Sequence, residues 1–200
     1  MRPVFMQACV FLFALAGFAA GCAPASPGLV DNPTYKAWAD FEPGAKVVLQ
    51  GTRKVGQETH KSRYTQRLVE VTPQQVVLER TLELLDGNSQ APTVTCKVEP
   101  AQIDPADNPR TNPQARVKDL GEERIEIKGK ALPCKGTEVV VHAEFGGPLP
   151  TSEDVHLRSW VSPEIPGGVA RLFLVRKSVS HDMEISAQTT DYQAQRRKPQ

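Results

Sequence analysis

From Lys46 to about Thr190 the chain repeats one pattern: apolar and polar residues alternate in short runs, punctuated by Gly, Pro, Asn and Asp. Val76, Leu78, Leu82 and Leu84 alternate with Val77, Glu79, Thr81 and Glu83. Past the turn signal Asp86-Gly87-Asn88, the set Val94, Cys96 and Val98 does the same. Ile125 and Ile127 continue it, then Val139, Val141 and Ala143, then Val155 and Leu157, then Val179, Met183 and Ile185. Alternation at period two makes a strand with one apolar face. Roughly eight such strands beside one short helix pose a covering problem, because an apolar sheet face must pack against something. The expected fold is therefore mainly β: a single antiparallel, strongly curved sheet, a half-barrel or barrel-like meander, plugged by a short N-terminal helix. A β-sandwich is the alternative. In the curved sheet the interior is either packed solid or a pocket for an apolar ligand.

The helix is predicted just before the strands. Asn32 and Pro33 make a start signal, Tyr35, Trp38 and Phe41 are spaced to share one face, and Pro43 and Gly44 end it. Trp38 and Phe41, together with Trp160 far along the chain, are the candidate ligand or lid contacts. Trp160 falls on the same parity as His156 and Arg158 and is expected to be partly exposed. Pro100 to Pro113 holds four prolines among Asp and Asn, and reads as a long polar loop, either a lid or a plain insertion.

Upstream of the domain, Arg2 precedes an apolar run from Val4 to Phe18, which ends in Ala19, Ala20 and Gly21. This is the layout of a secretory leader, and it is short for a membrane span of about 20 residues. Ala19-Ala20-Gly21-Cys22 resembles the lipobox of bacterial lipoproteins, which implies cleavage before Cys22 and diacylglycerol and palmitate-type chains on its thiol. Each buried acyl CH₂ contributes about 0.8 kcal/mol, so two or three chains hold a protein at a bilayer without a spanning helix. The expected organisation is residues 1–21 as leader, 22–32 as a lipidated tether, 33–190 as one β-rich domain and 191–200 as a flexible polar tail. Fully extended, Ala23 to Asn32 reaches roughly 30 Å.

Removal of residues 1–21 takes Arg2 and no acid, leaving 23 basic against 23 acidic residues. A neutral chain without a basic stripe is not built for nucleic acid. The leader also removes Cys9, and lipidation occupies Cys22, so Cys96 and Cys134 remain as an even pair in an oxidising compartment. Parity points Cys96 inward and puts Cys134 with Leu132 on an apolar face. The expectation is a disulfide between them, contributing roughly 4 kcal/mol through loop closure; two separate buried thiols are the alternative.

No phosphate loop, nucleophile elbow, zincin motif or paired metal cysteines occur in the sequence. The reading is of a non-enzyme with no cofactor and no metal. The one arrangement that argues otherwise is a hairpin centred near Leu149, which would set His142 opposite His156 on the less apolar face.

Lipobox, aromatic helix (Asn32-Pro33-x-Tyr35-x-x-Trp38-x-x-Phe41-x-Pro43-Gly44), β-meander and the late turn Trp160-x-Ser162-x-Glu164-Ile165-Pro166-Gly167-Gly168 together resemble uncharacterised bacterial lipoproteins. Their layout is similar to the lipoprotein-carrier fold of the LolA and LolB type. That resemblance implies a curved antiparallel sheet whose mouth holds acyl chains. This chain departs from it in having one convincing helix and few aromatics. Ala23, in place of Asp, after Cys22 resembles the pattern of outer-membrane lipoproteins of diderm bacteria. The function expected is that of an anchored, non-catalytic envelope protein that meets the membrane through its lipid and binds an apolar or lipid ligand or another envelope protein. A scaffolding lipoprotein with a filled core is the alternative.

Overall fold

The computed structural model describes residues 28–86, 91–108, 111–112, 114–145, 151–177 and 182–198. In chain order the elements are β1 (Val30–Asp31), α1 (Pro33–Ala39), β2 (Lys46–Val55), β3 (Glu58–Val71), β4 (Gln75–Leu84), β5 (Thr93–Pro100), β6 (Gln102–Ile103), a 3-10 turn (Pro105–Asp107), β7 (Ala115–Ile127), β8 (Lys130–Phe145), β9 (Thr151–Val161), β10 (Val169–Lys177) and β11 (Met183–Gln193). The helix starts where the sequence predicts. Asn32 is its N-cap, accepting a hydrogen bond from the Thr34 amide, and Pro33 fills the first turn, where its missing N–H is not needed.

All the long strands join one antiparallel sheet of nine, ordered β5-β4-β3-β2-β11-β10-β9-β8-β7. Two meanders, β2 to β5 and β7 to β11, are welded by the pairing of β2 with β11. The weld is tight at Gly51, opposite Ala187: a Cβ there would lie 2.0 Å from the Ser186 carbonyl oxygen, so only glycine fits this crossing. The sheet is not a sandwich and does not close into a barrel, because β5 and β7 each keep one edge unpaired.

Register assigns the faces. Val47 and Leu49 of β2, Leu68 of β3, Val76 and Leu78 of β4 and Ala170 of β10 are buried with Trp38 and Phe41 on the face that carries α1. The turn after β9 closes this end: the Gly167 amide donates to the Ala37 carbonyl, and Ile165 is fully buried. Gly167 has φ 75°, and a Cβ on it would stand 2.8 Å from the Trp38 indole. On the opposite face, the tip of the β7–β8 hairpin bends back over β11. Lys128 pairs with Asp191 at 2.7 Å, the Gln188 side chain donates to the Glu126 carbonyl, and Ile125, Ile127, Leu132 and Cys134 are buried beneath the tip.

Three expectations are corrected. The stretch 191–200 is not a free tail as far as it is described: β11 runs to Gln193, the Arg197 amide donates to Asp40, and Arg196 lies 5.6 Å from the Phe41 ring centroid. Nor is the chain a plain tether up to Asn32. Val30 and Asp31 pair with Ile103 and Gln102, which also gives the Pro-rich segment a strand and ties it down through Asn108, whose side chain donates to the Asp31 carbonyl. Third, β5 has the reverse parity. Val94, Cys96 and Val98 are exposed, whereas Glu99 turns inward and is 7% exposed. A charge wins the inner position because it is answered there: Glu99 meets Arg80 at 3.1 Å and Lys97 at 2.8 Å, beside the Asn32 side chain.

The α1 face as a candidate ligand-binding surface

The α1 face has two unlike ends. Near α1 it is packed. Farther along the same strands, past Gly51, it stays apolar but is only half-buried: Val55 on β2, Ile185 and Met183 on β11, Leu172 and Leu174 on β10, Val155 and Leu157 on β9, Val139 and Val141 on β8. These are the inward positions of the alternation, and among the described residues no second layer lies over them.

Arg53 sits in this apolar field. It follows Val47, Leu49 and Gly51 on the α1 face of β2 and pairs across the strands with Ile185 on one side and His60 on the other. Three described arginines have a buried Nε without an acceptor: Arg53, Arg80 and Arg171. Arg80 and Arg171 each give another N–H to a carboxylate, Glu99 and Glu123. Arg53 has no ion pair among the described residues, and its cross-strand neighbour His60 is shared between Glu58 and Asp86 at 3.5 Å each.

The predicted site residues do not gather into one place. Trp38 and Phe41, expected as ligand or lid contacts, are 1% and 2% exposed and sit in the packed interior. Trp160 is half-buried on the opposite face, where the Arg171 guanidinium lies 4.1 Å over its ring and Phe173 meets it edge-on at 5.9 Å. Gly136 leaves room for that indole, since a Cβ there would come within 3.0 Å of Trp160 Nε1.

Cys96 and Cys134 are both free thiols, which corrects the expected disulfide. Cys96 is exposed on edge strand β5, Cys134 is buried on β8, and six strands separate β5 from β8 in the sheet order. Burial pushes the Cys134 thiol above its ordinary pKa, so it stays protonated near neutrality.

The hairpin register is offset from the expected one. His142 faces Asp154, and His156 faces Val140, leaving the two histidines diagonal on the face opposite α1. His142 Nδ1 lies 2.6 Å from Asp154 Oδ1, and this contact holds the Asp154 carboxyl below its usual pKa. The shift by two positions keeps the face and changes the partner. Among the described residues, no three His, Cys, Asp or Glu side chains cluster as a metal site.

Cys22 and the leader lie outside the described residues, as do Val179 and His181. Among the described residues no helix is long and apolar enough to cross a membrane. Arg53 is the residue that sequence reasoning missed. Its signal was available as one cation at an inward parity position between Leu49 and Val55. Comparison with family models, curated proteins and solved structures gives no match.

Proposed function

We propose that this is a lipid-anchored, non-catalytic envelope protein, held at the periplasmic side of an outer membrane through Cys22, that takes up an apolar ligand on the α1 face of a strongly curved sheet. The observation that carries the binding half is the half-buried apolar surface running from Val55 across β11, β10 and β9 to Val141, without a covering layer among the described residues. A sheet face of this kind left in water is unfavourable by about 25 cal/mol for each Å² of apolar surface, and a ligand seated there removes that penalty. The anchoring half rests on the lipobox-like Ala19-Ala20-Gly21-Cys22 and the apolar run before it.

The test is native mass spectrometry of the full-length protein purified from its own envelope, beside a denatured spectrum. Cleavage before Cys22 with an added diacylglycerol-sized mass, lost in Cys22→Ser, is the expected result for the anchor. A second, non-covalent lipid-sized mass that disappears on denaturation is expected for the bound ligand. A bare polypeptide in the native spectrum would favour a scaffolding lipoprotein. The packed end of the α1 face, with Trp38 and Phe41 buried, is the observation on that side.

A further inference from the structure

Resting on the proposed reading of the α1 face, we infer that its ligand is an amphiphile with a single anionic head, and that Arg53 is the residue that receives that head. A guanidinium is among the most costly groups to place on an apolar surface unless an anion answers it. The chain supplies such an anion to each of the comparable arginines, Glu99 to Arg80 and Glu123 to Arg171, and among the described residues supplies none to Arg53, whose Nε is buried without an acceptor. Around Arg53 the same face offers aliphatic side chains at its cross-strand and diagonal positions: Ile185 beside it, Val55 two residues on, Leu174 one strand farther. The apolar surface continues sideways at the level of Arg53, through Ile185 and Leu174 to Leu157 and Val139. A planar, forked donor next to an aliphatic surface matches a carboxylate or phosphate on an acyl chain.

A second copy of this chain fits the same face less well. Two such faces laid together would bring unpaired Arg53 guanidinium groups into one dry interface, where like charges repel.

The test uses the full-length protein freed of detergent, with three probes that share a twelve-carbon chain: dodecanoate, methyl dodecanoate and dodecyltrimethylammonium, each below its micelle concentration, measured by calorimetry. Dodecanoate is expected to bind about tenfold more tightly than the ester, a ratio typical of one charge-assisted hydrogen-bonded contact. Arg53→Gln is expected to remove that preference while leaving ester binding unchanged, and Arg53→Lys to restore part of it. Lys54→Gln, exposed on the opposite face of the same strand, is the control and leaves all three unchanged. Equal affinity for all three probes in native protein and in Arg53→Gln overturns the assignment of the head while the apolar-face reading stands. Uptake of no probe overturns both. Preference for the ammonium head, or a concentration-dependent dimer that takes up no probe, overturns the inference in favour of an anionic surface or a second copy.

Discussion

Two arginines on one sheet face divide this molecule. Arg80 on β4 lies at the packed end, 19% exposed in its side chain, with its charge answered by Glu99 and the Asn32 cap nearby. Arg53 on β2 lies toward the other end among half-buried aliphatic residues, with its Nε buried and no carboxylate partner among the described residues. The same period-two alternation builds both ends. The difference lies in what covers the strands: α1 and the Ile165 turn cover one end, and the chain offers the other end nothing among the described residues. A close-packed core and an open apolar face are thus two outcomes of one pattern, distinguished by whether a second layer arrives.

The comparison breaks or sharpens in four measurements. The largest effect is expected at the packed end, where Trp38→Ala removes a fully buried side chain and costs about 3–5 kcal/mol, read as a lowered urea midpoint. Leu174→Ala at the open end is expected to cost less than about 1.5 kcal/mol, because that site is already half in water; equal losses at the two ends would show that the open end is covered after all. Next, Glu99→Gln leaves Arg80 and Lys97 facing a neutral group and is expected to cost about 3 kcal/mol. Arg53→Gln should be neutral or slightly stabilising, and a loss as large as that of Glu99→Gln would mean that Arg53 is paired in solution.

Thiol chemistry separates the two cysteines without changing stability. Cys96 is expected to label quickly with a maleimide in native protein and Cys134 only after unfolding. A bridged pair would label at neither position until reduced. The smallest effect is the acid response of exposed carboxylates. Asp119, Glu138, Asp154 and Asp191 are held below their ordinary pKa, by the Gly121 amide, Arg158, His142 and Lys128 respectively. Their contribution is fully present above the unfolded pKa, near 4, and fades as the pH falls through the lower folded values. Melting temperature should therefore fall below about pH 4, and Asp154→Asn should make that fall slightly shallower.

Much of the fold is legible in the residues because it rests on local rules. Asn32-Pro33 signals a helix start by capping chemistry, and the alternation from β2 to β11 signals an antiparallel sheet, since both depend on near neighbours. What failed depended on distant partners. The parity of β5 is not legible locally, because three apolar residues outvote two charged ones in the pattern, while Asn32 and Arg80, far away in the chain, claim Glu99 for the interior. The disulfide failed on strand order, which local alternation does not reveal: six strands lie between Cys96 on β5 and Cys134 on β8. The histidine pairing failed by an offset of two residues, which alternation does not detect because it preserves the face. In the candidate site, the aromatics attracted attention by their size, but they fill the core; the informative signal was one charged residue where the pattern asked for an apolar one.

The clip at the start of the domain acquires a mechanical meaning if the chain hangs from a membrane by its N-terminus. Any pull along that segment reaches Val30 and Asp31 first, and these are laddered to Ile103 and Gln102, while the Asn32 amide and side chain are bonded to Ala101 and Pro100. The load therefore enters beside edge strand β5 and is shared with it before it arrives at α1. Tension would peel a two-residue ladder while the helix that plugs the sheet keeps its seat, so in an anchored chain the clip would act as a strain relief ahead of the core.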